Sequence, residues 1–282
     1  MQNDLLIDAH VFIDGTLGKV RLSHPEGIAI AADGSIWCGG DRGEIYRIEP
    51  DGSSFDLIAS TGGFSLGMAF DADSNLYVCD LGSSSVFKLD TTNGVLSQLT
   101  NPNLGMKVPN YPVWDRQRNR LLVSDSNSPK IPGPGIWSID VQTGVGSLWS
   151  DEAFDFANGL AFTPDGNSLL VVESWGKIIS KIDIESDGSA GKKSLYLENL
   201  GAIPDGLAFD DFGNLFIACY EPSQIMVLDR SGKLNILIQD LDSHLLCHPT
   251  NIAFRGSSIF ATNLGRWHIT KINTTTTSKG LI

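Results

Sequence analysis

The sequence has few cysteines, no long apolar run and a shortage of basic residues. Its four cysteines are far apart in the 282-residue chain, and none belongs to a Cys-x-x-Cys pair. This spacing argues against a zinc cluster and against a disulfide scaffold. Because Cys38, Cys79 and Cys219 lie in apolar, strand-like segments, we expect them to be small buried hydrophobic residues.

The shortage of positive charge limits the partners. Lys and Arg number 20 against 33 Asp and Glu, which gives a formal net charge of −13. Since such a chain repels nucleic acid phosphates and anionic lipids, we expect neither partner. No apolar run is long enough to span a bilayer, and residues 1–8 lack the features of a signal peptide, so a cytoplasmic protein is expected. A monomer and a small homo-oligomer are equally compatible with the sequence.

Extended helical periodicity is also absent. Thirty glycines and twelve prolines interrupt short runs of β-branched, aliphatic and aromatic residues, which is typical of an all-β protein. One pattern recurs six times: an opening residue, alternating apolar positions, a polar turn and a second apolar run. The copies open at Glu26, Leu66, Asn110, Asn158, Asp205 and Thr250.

The spacing of the copies predicts the fold. Successive copies are offset by 40, 44, 48, 47 and 45 residues, the length of a four-stranded propeller blade. We therefore predict that residues 1–282 form a single six-bladed β-propeller domain. The last copy leaves little chain for a fourth strand, whereas residues 10–13 form an unused strand before the first copy. We expect this N-terminal strand to complete the last blade and close the ring, and we expect residues 274–278 to be solvated and loose.

The opening residues of the copies form a candidate metal site. The first strand of each propeller blade lines the central channel, so these residues face a common centre. Four of the six carry a carboxylate or amide oxygen: Glu26, Asn110, Asn158 and Asp205. Two carboxylates and two amides without Cys or His favour calcium, with Mg2+, Mn2+ or Zn2+ as alternatives. The competing interpretation is that Asn158-Gly159 and Asp205-Gly206 are turn dipeptides, but the hairpin turns lie about seven residues later in each copy.

A divalent cation with open coordination positions polarises a carbonyl and stabilises the oxyanion formed when water attacks. This chemistry predicts hydrolysis. Asp205 is the candidate catalytic residue, either as a general base toward water or as a nucleophile.

These motifs resemble the SMP-30/gluconolactonase/luciferin-regenerating-enzyme family, which includes regucalcin. The resemblance extends over essentially the whole chain and is most specific at residues 157–166 and 203–210. It implies a six-bladed propeller in which Glu26, Asn158 and Asp205 bind the catalytic metal, Asn110 binds metal or substrate, and Asp205 is the general base. It also implies a small lactone or ester as the substrate.

The chain departs from the sugar-lactonase pattern at two places. Val108 stands where sugar lactonases often carry an Arg, and Asn110 is followed by Tyr111-Pro112 rather than by the commoner Asp. A sugar-acid lactone is thus a less secure expectation than hydrolysis in general. We expect Tyr111, Asn127 and His24 to contact the substrate, although packing explains Tyr111 and His24 equally well.

Two alternatives remain at this stage. The first copy, residues 24–29, is also similar to the strictosidine-synthase-like branch, which has the same fold and performs metal-free, non-hydrolytic chemistry. The second alternative is a propeller that binds a metal without being an enzyme, because a fold alone does not establish an activity.

Overall fold

The residues that converge on the channel are held by six antiparallel sheets. A computed structural model describes residues 8–278, and within them five sheets have four strands and one has three. Consecutive strands pair in every four-stranded sheet. The first strand of each sheet contacts the first strand of the next, and the sixth contacts the first again. The sheets are therefore the blades of a six-bladed β-propeller, as the repeat predicts.

The first three blades follow one another along the chain. Blade 1 consists of β2 (Ile28–Ile30), β3 (Ile36–Gly39), β4 (Glu44–Ile48) and β5 (Phe55–Ser60). Blade 2 consists of β6 (Ser65–Phe70), β7 (Asn75–Asp80), β8 (Ser85–Asp90) and β9 (Val95–Gln98). After a short 3-10 helix, Pro102–Leu104, blade 3 consists of β10 (Pro109–Asp115), β11 (Arg120–Asp125), β12 (Gly133–Asp140) and β13 (Gly146–Phe154).

The remaining blades repeat this order. Blade 4 consists of β14 (Ala157–Phe162), β15 (Ser168–Glu173), β16 (Ile178–Ile184) and β17 (Ala190–Leu197). Blade 5 consists of β18 (Ile203–Phe209), β19 (Leu215–Glu221), β20 (Gln224–Leu228) and β21 (Leu234–Gln239). Blade 6 consists of β22 (Pro249–Asn263), β23 (His268–Ser278) and β1 (Ala9–Asp14).

Blade 6 joins the two ends of the described chain. The long strand β22 doubles back on itself near Gly256, which brings the hydroxyls of Thr250 and Thr262 to within 3.2 Å of each other. It therefore supplies both the inner and the second strand of the blade. Antiparallel pairing of β1 with β23 supplies the outer strand, with Ala9 opposite Ile272. The predicted closure of the ring by an N-terminal strand is confirmed.

The prediction for the C-terminal segment is wrong. Residues 274–278 belong to β23 instead of forming a loose tail. The Thr276 hydroxyl donates to Asp210 at 2.5 Å, and the Asp211 amide donates to the Thr277 carbonyl at 2.8 Å. Blade 5 thus holds the end of β23 through polar contacts that a run of threonines does not reveal in sequence.

The hydrophobic core consists of six clusters, each drawn from two neighbouring blades. Cys38, Cys79 and Cys219 lie inside three of these clusters as free thiols, as predicted. No helix in residues 8–278 is long and apolar enough to cross a membrane. Because every cluster lies between blades, the stability of the fold depends on an unbroken ring.

The closing strand provides a test of this dependence. Phe12 of β1 packs against Phe260 with the ring centroids 4.9 Å apart, whereas neighbouring Val11 is exposed. We expect Phe12→Ala to lower the free energy of unfolding by about 2–3 kcal/mol, since this half-buried ring fills the seam between the chain ends. Val11→Ala should cost less than about 1 kcal/mol. Urea denaturation measures both changes, and equal effects would contradict a closing role for Phe12.

Candidate metal centre

The four predicted oxygen ligands lie at the start of the inner strands, at one end of the channel. Glu26 precedes β2 by two residues, Asn110 and Asn158 are second in β10 and β14, and Asp205 is third in β18. All four side chains are buried. The Asn158 amide acts on the Asp205 carboxyl, and Asp205 in turn perturbs the ionisation of Glu26. Residues from four different blades are thus brought to one place.

Each of the four residues has a buried oxygen without a hydrogen-bond partner. These atoms are Glu26 Oε2, Asn110 Oδ1, Asn158 Oδ1 and Asp205 Oδ1. Leaving a buried polar atom unsatisfied costs about 1–3 kcal/mol, so native proteins rarely keep several together without a ligand. Four such oxygens, all from the ring positions, indicate a site shaped for a cation.

Two serines fix the orientation of the amides. The Asn110 Nδ2 atom donates to Ser126 Oγ at 3.0 Å, and Ser126 Oγ donates to the Ala157 carbonyl at 2.6 Å. Because the hydroxyl proton is used on that carbonyl, the serine can only accept from the amide. The carbonyl oxygen of Asn110 must therefore turn away from Ser126, toward the channel.

The next blade repeats this arrangement. Asn158 Nδ2 donates to Ser174 Oγ at 3.1 Å, and Ser174 Oγ donates to the Pro204 carbonyl at 2.8 Å. Each serine therefore orients the amide of its own blade and holds the backbone next to the ring residue of the following blade. This coupling spaces Asn110, Asn158 and Asp205 relative to one another.

Blade 6 holds Glu26 in place. The Glu26 carbonyl accepts from Thr250 Oγ1 at 2.7 Å, Thr262 Oγ1 at 2.6 Å and Asn251 Nδ2 at 3.2 Å. The sixth ring position, Thr250, thus supports the backbone of Glu26. The Oδ1 atom of Asn251 is a fifth buried oxygen without a partner.

Close approach of the inner strands explains the residue that follows each ring position. A Cβ atom on Gly159 would lie 2.2 Å from the Asp205 carbonyl oxygen, so only glycine fits there. Tyr111 and Asn251 replace this glycine in blades 3 and 6, which stand opposite each other in the ring. Their side chains cover the glycines of the preceding blades, Gly67 and Gly206.

Burial dominates the electrostatics of the site. Burial raises the pKa of Asp205 to about 8, although a hydrogen bond with the Asn158 amide lowers that pKa in part. Burial also raises the pKa of Glu26 far above the ordinary range, and the nearby Asp205 raises it further. Among residues 8–278, no Lys, Arg or His forms an ion pair with either carboxyl group. Within this part of the chain, neither carboxyl group is therefore neutralised by a basic side chain.

These observations together fit a hard divalent cation. All donors are oxygens, two of them from carboxyl groups, and the amide oxygens already face inward. Among residues 8–278, no three or more His, Cys, Asp or Glu side chains are placed together to hold a metal ion, so the amide oxygens of Asn110 and Asn158 are needed to complete the candidate site.

Comparison with known proteins agrees with the fold. The profile of the SMP-30/Gluconolactonase/LRE-like region matches residues 67–260, more than half of the chain. The chain belongs to this family. A strictosidine synthase-like N-terminal profile matches a shorter segment, residues 17–48.

Individual members of the SMP-30/gluconolactonase family are distant relatives. Regucalcin from Gallus gallus is 32% identical over 83 residues, which is 28% of each chain. The aligned segment thus spans less than a third of that curated relative. The structure of a gluconolactonase from Xanthomonas campestris has a TM-score of 0.73 at 20% identity, covering 90% of this chain and 88% of its own. A calcium-binding regucalcin from Agrobacterium tumefaciens has a TM-score of 0.73 at 16% identity, covering 96% and 98%.

His24, Asn127 and Tyr111, which the sequence predicts to contact the substrate, lie at different places around the ring of this SMP-30/gluconolactonase family member. His24 lies two residues before Glu26, and its Nδ1 is 2.8 Å from the Leu264 carbonyl. Asn127 Nδ2 donates to the Ile131 carbonyl at 2.9 Å, which closes its own loop. Tyr111 is buried inside the channel and not on the rim, where burial, Glu26 and Asp205 all raise its pKa.

Tyr111 also lines a cavity of about 910 Å³ that begins beyond the ring. The inner-strand residues two positions after each ring residue line this cavity: Ile28, Met68, Pro112, Leu160, Leu207 and Ile252. It extends to the turns at residues 115–117 and 164–166, at the other end of the channel. The ring residues lie at the start of the inner strands, and thus nearer the opposite face, where the loops before the inner strands lie.

The sequence pattern missed the residues that support the ring. Ser126, Ser174 and Asn251 do not open a repeat, although Ser126 and Ser174 both directly follow the acidic end of a second strand. That shared position is the signal that identifies them. Glu173 has a structural role, since it accepts from the Asp155 amide at 2.8 Å and pairs with Lys193 at 2.7 Å.

The raised pKa values predict how pH affects the metal-free protein. Between about pH 4 and about pH 8 the folded state retains protons that the unfolded chain has released, so the free energy of unfolding falls as pH rises. Asp205→Asn removes one of these groups, and we expect a shallower fall. Urea denaturation with chelator at about pH 5 and about pH 8 measures the slope. An equally steep slope in the variant would show that Asp205 ionises normally.

Proposed function

We propose that this chain is a divalent-metal-dependent hydrolase that opens a small lactone or ester, with calcium as the preferred ion. The observation that carries the proposal is the set of four buried, unpartnered oxygens on the inner strands of four blades. Membership of the SMP-30/gluconolactonase family supports the lactone substrate class. The calcium-binding relative from Agrobacterium tumefaciens supports the choice of ion.

The donor set decides between ions. Glu26, Asn110, Asn158 and Asp205 would hold the cation through oxygens alone, and Asn251 offers a further oxygen beside Gly206. Calcium accepts six to eight oxygens at flexible geometry, whereas magnesium demands a near-ideal octahedron. Ligands spaced by separate blades suit the more tolerant ion. Two carboxylates also balance the charge of a divalent cation in a buried site.

The reaction uses few protein groups. When bound, a divalent cation supplies Lewis acidity toward the substrate carbonyl. Asp205 has a free buried oxygen, which can accept the proton of the attacking water. Direct attack by Asp205 on the carbonyl is the alternative role. A single turnover in 18O-labelled water separates the two roles, because only nucleophilic attack leaves the label in Asp205.

The match of residues 17–48 to the strictosidine synthase-like profile favours a second candidate, a propeller enzyme with non-hydrolytic chemistry. Product masses separate the candidates, since hydrolysis adds the mass of one water to the substrate. The two buried carboxyl groups support the metal-dependent hydrolytic function, because a divalent cation would compensate the charge of both.

Loss of either carboxylate should abolish metal binding and turnover together. We expect Glu26→Gln and Asp205→Asn each to weaken calcium binding by more than about 100-fold, because each removes one of the two charges that balance the ion. Isothermal titration calorimetry measures binding, and the hydrolysis of a panel of γ- and δ-lactones measures turnover. Chelation should stop turnover, and added calcium should restore it.

The exposed carboxylate Glu152, on the outer strand β13 of blade 3, provides the matched control. Glu152→Gln should leave calcium binding and hydrolysis unchanged, since this side chain is in solvent and away from the channel. Full hydrolysis after both ring substitutions would exclude the proposal. Calcium binding without any lactone or ester turnover would point to a non-enzymatic propeller.

The serine that orients Asn158 should affect the metal indirectly. We expect Ser174→Ala to weaken calcium binding by about 10- to 100-fold, because the amide loses the acceptor that turns its oxygen inward. Ser194→Ala, at an exposed serine of β17, is the control. Calorimetric titration of both variants tests this role, and equal affinities would show that Ser174 does not position the ligand.

A further inference from the structure

Three aromatic pairs stand at the end of the channel where the inner strands begin, which is the end nearer the candidate metal centre. Phe156 and Trp175 have ring centroids 5.7 Å apart. Tyr220 and His248 are stacked at 4.4 Å, and His24 and Trp267 meet edge to face at 5.4 Å. We call these six residues the aromatic collar.

Each pair brings together two positions from the same face of the propeller. Three members lie two residues before a ring position: His24, Phe156 and His248. Trp175 and Trp267 lie in loops that follow the second strand of a blade, and Tyr220 is next to last in the second strand β19 itself. The collar therefore forms an arc over blades 4, 5, 6 and 1.

The collar lies close to the ring of oxygens. Trp175 directly follows Ser174, which hydrogen-bonds Asn158. Tyr220 directly follows Cys219, which pairs across the sheet with Pro204, the residue before Asp205. Two of the three pairs are therefore anchored next to ring ligands, at the side of the site where the substituents of a substrate can lie.

The collar has an energetic cost that packing does not explain. Phe156 adopts a φ of 65°, a left-handed conformation that is strained for a bulky residue and typically costs about 1–3 kcal/mol. Trp175 leaves 45% of its surface exposed, so its indole is not used to fill a core. Strain and exposed aromatic surface beside a reactive centre are features of a binding surface.

On the other side of the mouth, several polar side chains are occupied. Asn127 bonds its own loop, and Asp80 accepts from the hydroxyls of Thr61 and Ser83 at 2.7 Å each. Val108, at the position where sugar lactonases often carry an Arg, packs against an apolar cluster. These groups offer little to the hydroxyls of a polyhydroxylated ring.

We propose that the aromatic collar binds a flat apolar group of the substrate, so that the substrate is an aryl-fused or aryl-substituted lactone or ester and not a sugar-acid lactone. This inference rests on the proposed hydrolytic function. In the reaction, the oxygen of water bonds to the acyl carbon, the bond from that carbon to the ring oxygen breaks, and the released oxygen takes up a proton.

The test compares 3,4-dihydrocoumarin with D-glucono-1,5-lactone on the calcium-loaded protein. We expect kcat/KM to be at least about tenfold higher for dihydrocoumarin, and Trp175→Ala to lower kcat/KM for dihydrocoumarin about tenfold more than it lowers kcat/KM for gluconolactone. Phe212→Ala is the matched control, because this exposed aromatic lies in a turn at the other end of the channel. It should leave both rates unchanged.

A binding measurement separates failure of this inference from failure of the proposed function. The lactam 3,4-dihydroquinolin-2-one has the shape of dihydrocoumarin and resists hydrolysis, so it should quench tryptophan fluorescence in the wild type and less in Trp175→Ala. Preferred hydrolysis of gluconolactone with no effect of Trp175→Ala would overturn the collar and leave the hydrolase intact. If neither lactone is hydrolysed, the hydrolase proposal fails, and absence of lactam binding then overturns the collar as well.

Discussion

Two carboxyl groups buried in one ring, with no cationic side chain paired to either among residues 8–278, are the constraint on which the rest of this structure depends. Burial raises the pKa values of Glu26 and Asp205, and Asp205 raises the pKa of Glu26 further, so the metal-free protein keeps protons there that water would remove. A dication between the two groups would offset both the burial of their charges and their repulsion. Six core clusters between the blades provide the stability that offsets the cost of the pair when no cation is bound.

The propeller can hold this arrangement because each of the four blades contributes only one ring residue, and contacts within and between blades fix the position of that residue. Ser126 and Ser174 link the amide of one blade to the backbone of the next, and Thr250 and Thr262 hold the carbonyl of Glu26 across the closing seam. The geometry of the ring is therefore a property of the closed circle. Opening the circle at β1 would disturb ligands far from the seam.

The six-bladed fold and the ring positions could be predicted from sequence because both depend on a period. Glu26, Asn158 and Asp205 occupy equivalent places in copies of similar length, and equivalent places converge in any propeller. Asn251 escaped prediction because its importance depends on the glycine of the preceding blade, Gly206. The segment 274–278 escaped for a similar reason, since its partners Asp210 and Asp211 belong to another blade. A period identifies what repeats, whereas these contacts are exceptions to it.

The same distinction between repeating and non-repeating features applies to the proposed site. The ring proposed to carry the chemistry repeats with the blades, whereas the aromatic collar proposed to set the substrate specificity does not. The ring lies on inner strands whose backbone spacing leaves little freedom, as the close approach at Gly159 illustrates. The aromatic collar lies mostly on loops, whose lengths and residues vary without disturbing the sheets. A family can therefore keep one metal centre and change its substrate by altering the loops before the inner strands and after the second strands. In this chain those loops place aromatic rings on one side of the centre and Val108 on the other, which is why its substrate should differ from a sugar-acid lactone.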